Sequence, residues 1–383
     1  MAGGPHKPKS GLYGPPAQTA LQISDGVILL YHYSSQNTFM KLMARRTRIG
    51  KTLSYILLAL VVVLAIAITK TIGWRPIIGP QQRALTERKF ESTPQRLARG
   101  EYLVQHVALC ILCHSEHDFK ALGAPVIQGM LLAGAHVDEE GMPGDVYSPN
   151  LTPDPETGAG RWSDDQLSRA IREGIGNDGR ALFPMMPYEH FHSMSDEDVA
   201  SVVVYLRTIQ PVKHQQPATK LVFPVNYLIK AVPVPLTAPV PEPDRSTPEK
   251  RGAYLAQMAT CSDCHSPSDD HGNQISGLDF SGGNLFVGPW GSVASVNITP
   301  DASGISYYDK KLFIQVMRTG MVGARPLSFV MPTSLFRGMT DEDLSDIFAY
   351  LKTLKAVHHR IDNSLPPTYC KLCRQKHGAG DQN

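Results

Sequence analysis

The chain repeats itself, and no other feature limits its fold as strongly. "RGEYLVQHVALCILCH" (Arg99 to His114) returns as "RGAYLAQMATCSDCH" (Arg251 to His265). "SPNLTPDPETGAGRW" (Ser148 to Trp162) returns as "SVNITPDASGISYY" (Ser295 to Tyr308). "FPMMPYEHFHSMSDEDVASVVVYLRTI" (Phe183 to Ile209) returns as "SFVMPTSLFRGMTDEDLSDIFAYLKTL" (Ser328 to Leu354). The spacing between partners is 151 at the histidines, 147 at Asn150 and Asn297, and 145 at Met186 and Met331. So small a drift means one domain of roughly 110–120 residues duplicated in tandem, a period too long for a solenoid.

Each copy reads as helical. "SDDQLSRAIREGI" (Ser163 to Ile175) has apolar residues at helical spacing behind an acidic start. Ser195 and Thr340 are placed to cap a last helix whose first turn is acidic in both copies (Asp196, Glu197, Asp198; Asp341, Glu342, Asp343), which complements the helix dipole. No long alternating strand pattern occurs. Between the copies, Val232 to Pro248 holds six prolines in 17 residues and predicts a stiff, extended connection. We therefore expect helical domains over 92–213 and 249–358, a linker over 214–248, and a tail over 359–383.

The N-terminal region has a different composition. Residues 52–68, "TLSYILLALVVVLAIAI", are apolar and uncharged. At ~1.5 Å per residue they reach about 26 Å, close to a ~30 Å hydrocarbon core that Lys51 and Lys70 can help to span. A membrane anchor over 51–70 is expected, weighed against a signal peptide in which Ala65-Ile66-Ala67 resembles a cleavage site. Lys41, Arg45, Arg46, Arg48 and Lys51 precede it, so the N-terminus should stay in the cytoplasm and the repeats should lie on the periplasmic side of the inner membrane. Residues 1–50 read as a disordered tail and 71–91 as a linker. Residues 1–70 hold eight Lys/Arg against Asp25 alone, which leaves the remainder at a net −5 and argues against nucleic acid as a partner.

The chemistry sits in the cysteines. C-x-x-C-H is the haem c attachment pattern. Cys110 and Cys113, and again Cys261 and Cys264, are two thiols three residues apart on one helical turn, able to reach both vinyl groups on one haem edge. His114 and His265 follow at the place that lies under the iron. A redox disulfide or half a zinc site is the bland alternative, but zinc would want a second pair in each copy. A sixth iron ligand is needed, and thioether sulfur suits it. Met185, Met186 and Met194, with His190 and His192, are the candidates in the first copy. Met186 and Met331 align and each precedes a proline; Met194 and Met339 align just before a helix cap and read as packing; neither histidine has a histidine partner in the second copy. We expect Met186 and Met331 as the ligands. No catalytic residue is assigned.

On these motifs the chain resembles class I c-type cytochromes, in particular the membrane-associated cytochrome subunits of bacterial alcohol and gluconate dehydrogenases. The resemblance covers residues 92–358 and implies an all-α fold of two tandem cytochrome c domains after a single transmembrane helix. It implies that helices carrying Tyr102 and Tyr205 (Tyr254 and Tyr350) cross, and that the Asn-x-Thr-Pro-Asp loop and Trp162 lie near the haem propionates. Two covalent haems c are expected, although the resembling subunits commonly carry three. The function implied is respiratory electron transfer between a dehydrogenase or quinol-oxidising complex and an oxidase or soluble cytochrome. A dihaem redox enzyme such as a thiosulfate dehydrogenase, and a fixed subunit of a larger complex, are the competing readings. A third pair, Cys370 and Cys373, is followed by Arg374 rather than His and is not expected to hold haem. A small disulfide is its first reading, ahead of a free thiol pair and a metal-binding tail with His377. His117, His271, His358 and His359 read as surface residues.

Overall fold

The computed structural model describes residues 25–383 except 122, 138, 270 and 271, with side chains from Gln36 onward. Residues 1–24 of the expected tail, and His271, lie outside the described residues. The chain forms two compact units, residues 1–71 and 72–383.

Among its described residues the first unit is one helix, α1 (Asp25–Lys70). Sequence alone places the start of order at Lys51; the helix begins 26 residues earlier, because no proline interrupts the chain between Asp25 and Lys70. Its part from Gln36 to Lys70 reaches a mean hydropathy of 2.6 in its most apolar window, none of it buried, and is long and apolar enough to cross a membrane. The hydroxyls of Thr52, Ser54 and Thr69 donate to carbonyls four residues back at 3.0, 2.9 and 2.7 Å. A hydroxyl satisfied in this way can enter an apolar medium without an orphaned donor.

The second unit holds both repeats. The first contains α2 (Arg75–Ile78), α3 (Pro94–Tyr102), α4 (Cys110–His114), α5 (Asp164–Glu173), α6 (Tyr188–Phe191) and α7 (Asp196–Leu206). After α8 (Val225–Leu228), the second contains α9 (Pro248–Met258), α10 (Cys261–His265), α11 (Lys310–Thr319), α12 (Thr333–Phe336) and α13 (Asp341–Thr353). Short antiparallel two-stranded ribbons are the only sheets among the described residues. The expected caps form: Ser163 and Gln166 make a reciprocal capping box on α5, and Ser195 and Thr340 accept from the N–H groups of Asp198 and Asp343.

In each repeat the first and last helices cross at a glycine. A Cβ on Gly100 would lie 2.0 Å from the Ser201 carbonyl oxygen, and one on Gly252 would lie 1.9 Å from that of Asp346. The "RG" that both copies carry before their "YL" is thus a contact between backbones. The first repeat has one extra residue between this crossing and its cysteines, since Tyr102 and Tyr254 are 152 apart but Cys110 and Cys261 are 151 apart. The structure absorbs it as a π-helical turn over Leu103–Val107, where α9 runs on without interruption.

Both expected linkers are docked on the first repeat. Arg83 pairs with Asp165 at 2.7 Å and Glu173 at 2.8 Å, and the Thr86 and Phe90 N–H groups donate to Asp165 and Asp164. The proline-rich segment returns to the same helix, with the Leu236 N–H donating to Glu173 at 3.2 Å, and the Ser195 hydroxyl donates to Glu242 at 2.9 Å. These straps use carboxylates and backbone rather than an apolar period, so periodicity could not reveal them. In α11 the positions of Asp164 and Asp165 are Lys310 and Lys311, which offer a strap no carboxylate.

The repeats meet across a pseudo-twofold axis. The Tyr102 hydroxyl donates to Asp343 at 2.5 Å, and the Tyr254 hydroxyl donates to Asp198 at 2.7 Å. Tyr102 also accepts from the Thr340 N–H at 3.2 Å, and Tyr254 from the Ser195 N–H at 3.3 Å. Each tyrosine therefore caps the last helix of the other repeat. One apolar core runs through both halves, including Met194 and Phe191 from the first and Met258, Phe336 and Met339 from the second.

Candidate functional site

Each cysteine helix is set by a strained residue before it. Leu109 and Thr260 take left-handed backbone, φ 53 and 51, at matching positions. A non-glycine residue held there costs about 1–3 kcal/mol and is kept only where the surroundings require it. The bend turns α4 and α10 off the preceding helices.

The histidines are oriented alike. His114 is buried and its Nδ1 donates to the Pro149 carbonyl at 2.8 Å; His265 is buried and its Nδ1 donates to the Val296 carbonyl at 2.7 Å. That hydrogen bond fixes the tautomer and leaves Nε2 with its lone pair, the atom an iron would take. Burial lowers the pKa of both rings, which keeps them neutral. All four cysteines are free thiols. Burial pushes Cys110 up to about 12 and Cys113 up to about 11, so the pair is protonated at neutral pH.

The two Met-Pro turns match in their hydrogen bonding. The Met186 N–H donates to Phe183 at 3.0 Å and the Tyr188 N–H to Met186 at 2.7 Å; the Met331 N–H donates to Ser328 at 3.0 Å and the Thr333 N–H to Met331 at 2.7 Å. Pro187 and Pro332 have the same backbone angles within a few degrees (φ −80, ψ 48; φ −79, ψ 54). Met186 and Met331 are half-buried against the core, whereas Met194 and Met339 are 1% and 2% exposed. His190 is engaged with Asp263 at 2.5 Å, and His192 Nδ1 with the Arg172 carbonyl at 3.1 Å.

A cavity of about 1040 Å³ opens between these groups in the first repeat. Cys110, Cys113, His114, Met186, Met194, Leu206 and Trp162 line it. It slightly exceeds the ~300–1,000 Å³ typical of small-molecule sites. The residues present fit a haem: paired thiols at one edge, an imidazole with a free Nε2, a thioether, and apolar walls. The cavity continues into the second repeat, where Asp263, Cys264, Phe286 and Trp290 line it.

Sequence reasoning missed part of this wall. Phe119, Trp290 and Phe329 form an aromatic cluster with ring centroids 5.4–6.4 Å apart, and the buried Trp290 Nε1 has no hydrogen-bond partner among the described residues. Phe119 and Trp290 lie outside the repeated motifs, and Phe329 lies inside one but aligns with Pro184, so the repeat marked none of them. His190, set aside as an iron ligand on sequence grounds, joins the Met186 turn of one repeat to the cysteine loop of the other.

The Asn-x-Thr-Pro-Asp loop also holds the chain together, through its asparagines. Asn150 Nδ2 donates to the Val212 carbonyl at 2.8 Å and its Oδ1 accepts from the Thr152 N–H; Asn297 does the same with Val357 and Thr299. These side chains clip the chain that leaves the last helix. Of this segment, Leu151 and Trp162 line the cavity. The C-terminal tail beyond the second clip corrects two expectations. His359, read as a surface residue, is fully buried there, and Cys370 and Cys373 are free thiols rather than a disulfide. His358 is exposed, as expected, and His117 is half-buried with its Nδ1 on the Ala124 carbonyl.

The sequence profile of the cytochrome c family matches residues 97–210 and 249–355, one match per repeat. The chain is 30% identical to the fructose dehydrogenase cytochrome subunit of Gluconobacter japonicus, over 68% of this chain and 53% of that one. It is 39% identical over 157 residues to a nicotinate dehydrogenase subunit of Pseudomonas putida, which is 38% of this chain and 13% of that protein. A dihaem c-type cytochrome of Cereibacter sphaeroides is 29% identical, over 65% of this chain and 82% of that one. The chain thus spans about half the length of the fructose dehydrogenase cytochrome, and far less of the nicotinate dehydrogenase protein.

Proposed function

The chain belongs to the cytochrome c family, and from that premise we propose that it is the dihaem electron-transfer subunit of an exported dehydrogenase, passing electrons to a respiratory acceptor. Bound haem supplies a one-electron iron couple. The residues proposed to hold the first haem are Cys110 and Cys113 by thioether bonds, with His114 and Met186 as iron ligands; for the second they are Cys261, Cys264, His265 and Met331. The chain's own work would be to hold, shield and space the two groups.

The observation that carries this reading is the repetition of one half-site. Both repeats place an imidazole on a carbonyl, a free thiol pair and a Met-Pro turn in the same arrangement. The shared cavity brings the Cys110–Cys113 edge and Cys264 to one space. Neighbouring attachment edges favour transfer between two haems over independent reactions at each. Relatives named as dehydrogenase cytochrome subunits support a dehydrogenase as donor. Helix α1, with Lys and Arg before its apolar stretch, supports anchoring with the repeats on the periplasmic side of the inner membrane.

The test uses the full chain matured in a host that attaches haem c. Two haems per chain, both low-spin with the Met–iron charge-transfer band, are expected. Met186→Ala should halve that band with both haems retained, whereas Met194→Ala should leave it intact. Mild-detergent isolation should bring down a dehydrogenase whose substrate reduces the haems. A band unchanged in Met186→Ala overturns the ligand assignment, and a chain isolated alone that no exported dehydrogenase reduces overturns the subunit reading.

A further inference from the structure

The C-terminal segment builds a site that the haem reading leaves unused. Pro367–Tyr369 and Lys376–Gly378 pair as an antiparallel ribbon. At its tip the Cys370 N–H donates to the Gln375 carbonyl at 2.9 Å and the Arg374 N–H to the Cys370 carbonyl at 3.0 Å. Arg374 takes left-handed backbone, φ 62, to close this turn. The ribbon carries Cys370, Cys373 and His377 to His359, which sits just past the last helix of the second repeat. The four donor atoms lie within 4.8 Å of one another, and all four residues are 0–1% exposed.

The hydrogen bonds orient the donor atoms of the cluster. His359 Nδ1 donates to the Ser281 carbonyl at 3.0 Å, and His377 Nδ1 donates to the Gly378 carbonyl at 2.9 Å. Both rings therefore present an Nε2 lone pair, and these two atoms face each other at 3.1 Å. Two acceptors at that distance in a buried site repel unless a cation lies between them. Cys370 Sγ is 3.5 Å from His359 Nε2, and the Cys373 N–H contacts Cys370 Sγ at 3.5 Å. Tetrahedral zinc with bonds of about 2.0–2.3 Å sets its donors roughly 3.3–3.8 Å apart, close to the 3.1 Å between the two Nε2 atoms and the 3.5 Å from Cys370 Sγ to His359 Nε2. Carbonyls that orient both imidazoles are the outer support such a site requires.

The first repeat shows the same position without the site. His214 and His359 are 145 apart, the spacing of Met186 and Met331. His214 Nδ1 contacts the Ala133 carbonyl at 3.1 Å, as His359 contacts Ser281, but its Nε2 faces Glu116 at 3.8 Å. Over the second site stands Gly283, φ 105, where a Cβ would come within 2.7 Å of His359 Cε1 and 3.3 Å of Cys373 Sγ. The glycine makes room for the sulfur.

We propose that His359, Cys370, Cys373 and His377 bind one Zn²⁺ in a closed tetrahedral site that staples the C-terminal segment to the second repeat. Binding displaces the two thiol protons to solvent, and the two thiolates neutralise the ion. Closed two-histidine, two-cysteine sets of this kind are structural rather than catalytic.

The test is metal analysis of the full-length protein in detergent with both haems attached. One zinc per two irons is expected. Cys370→Ser with Cys373→Ser should keep two irons and drop zinc at least tenfold. In the wild-type protein, Cys370 and Cys373 should resist alkylation until a chelator is added, a readout that does not depend on the variant accumulating. Zinc below one-tenth of an equivalent, a Cys370–Cys373 disulfide in the mapped peptides, a third iron in place of zinc, or zinc retained by the double variant would overturn the proposal.

Discussion

At Gly100 a single hydrogen atom decides whether two helices can touch. A methyl group there would overlap the Ser201 carbonyl at 2.0 Å, and neither backbone can move without shifting its helix. Gly100→Ala should therefore destabilise by about 1–3 kcal/mol or more, read as a lower midpoint of thermal unfolding, with Gly252→Ala behaving alike. The tyrosines two residues later in each motif work at the same scale. Burial and then Asp343 push the Tyr102 hydroxyl up to about 12, so at neutral pH it remains a donor. Replacing one hydroxyl, in Tyr102→Phe or Tyr254→Phe, should cost about 1 kcal/mol.

Helix α5 collects both straps, and its charges make this attachment sensitive to acid. Burial raises the Asp165 carboxyl, but hydrogen bonds from Arg83 and Thr86 outweigh it and hold the pKa at about 2, below the ordinary value. A depressed folded value stabilises the protein above the unfolded pKa of about 3.9 and loses that stabilisation as pH falls toward 2. Denaturant midpoints measured between pH 5 and 2 should thus fall for the native protein. Asp165→Asn should start lower at pH 5 and lose less over the same range. The straps also show a limit of pattern reading. Capped amphipathic helices are written in local residue types, whereas this strap is held by partners 82 and 79 residues distant and has no period of its own.

The two repeats act as one body because each tyrosine caps the other repeat's last helix. That arrangement is what a duplicated homodimer would leave after fusion: the same contact made twice about an approximate axis. The His190–Asp263 pair, with no counterpart because Leu335 stands in place of His190, breaks the symmetry where the cavity joins the repeats. Hydrogen bonding to Asp263 raises the His190 pKa. Calorimetry should give a single transition for residues 72–383 in the full chain. Tyr102→Phe combined with Tyr254→Phe should lower it and split it into two, as each half begins to unfold alone; a single unshifted transition would show that the axis contributes nothing.

The sequence by itself determined the duplication, the helical content, the caps, the apolar N-terminal helix and two thiol-pair and histidine motifs. All of these follow from residues within a few positions of one another, or from comparison of one copy with the other. The mismatch of 152 and 151 residues around the first crossing is written there too, and its outcome is the π-helical turn. Only the tertiary structure decided the rest. It put both straps on α5, turned the Asn-x-Thr-Pro-Asp loops into clips, crossed the tyrosines between repeats and carried Cys370, Cys373 and His377 to His359. The physical reason is common to these four: a buried hydrogen bond or donor cluster is fixed by which distant segments meet. A histidine reads as a surface residue until the fold removes its water and supplies the other three donors.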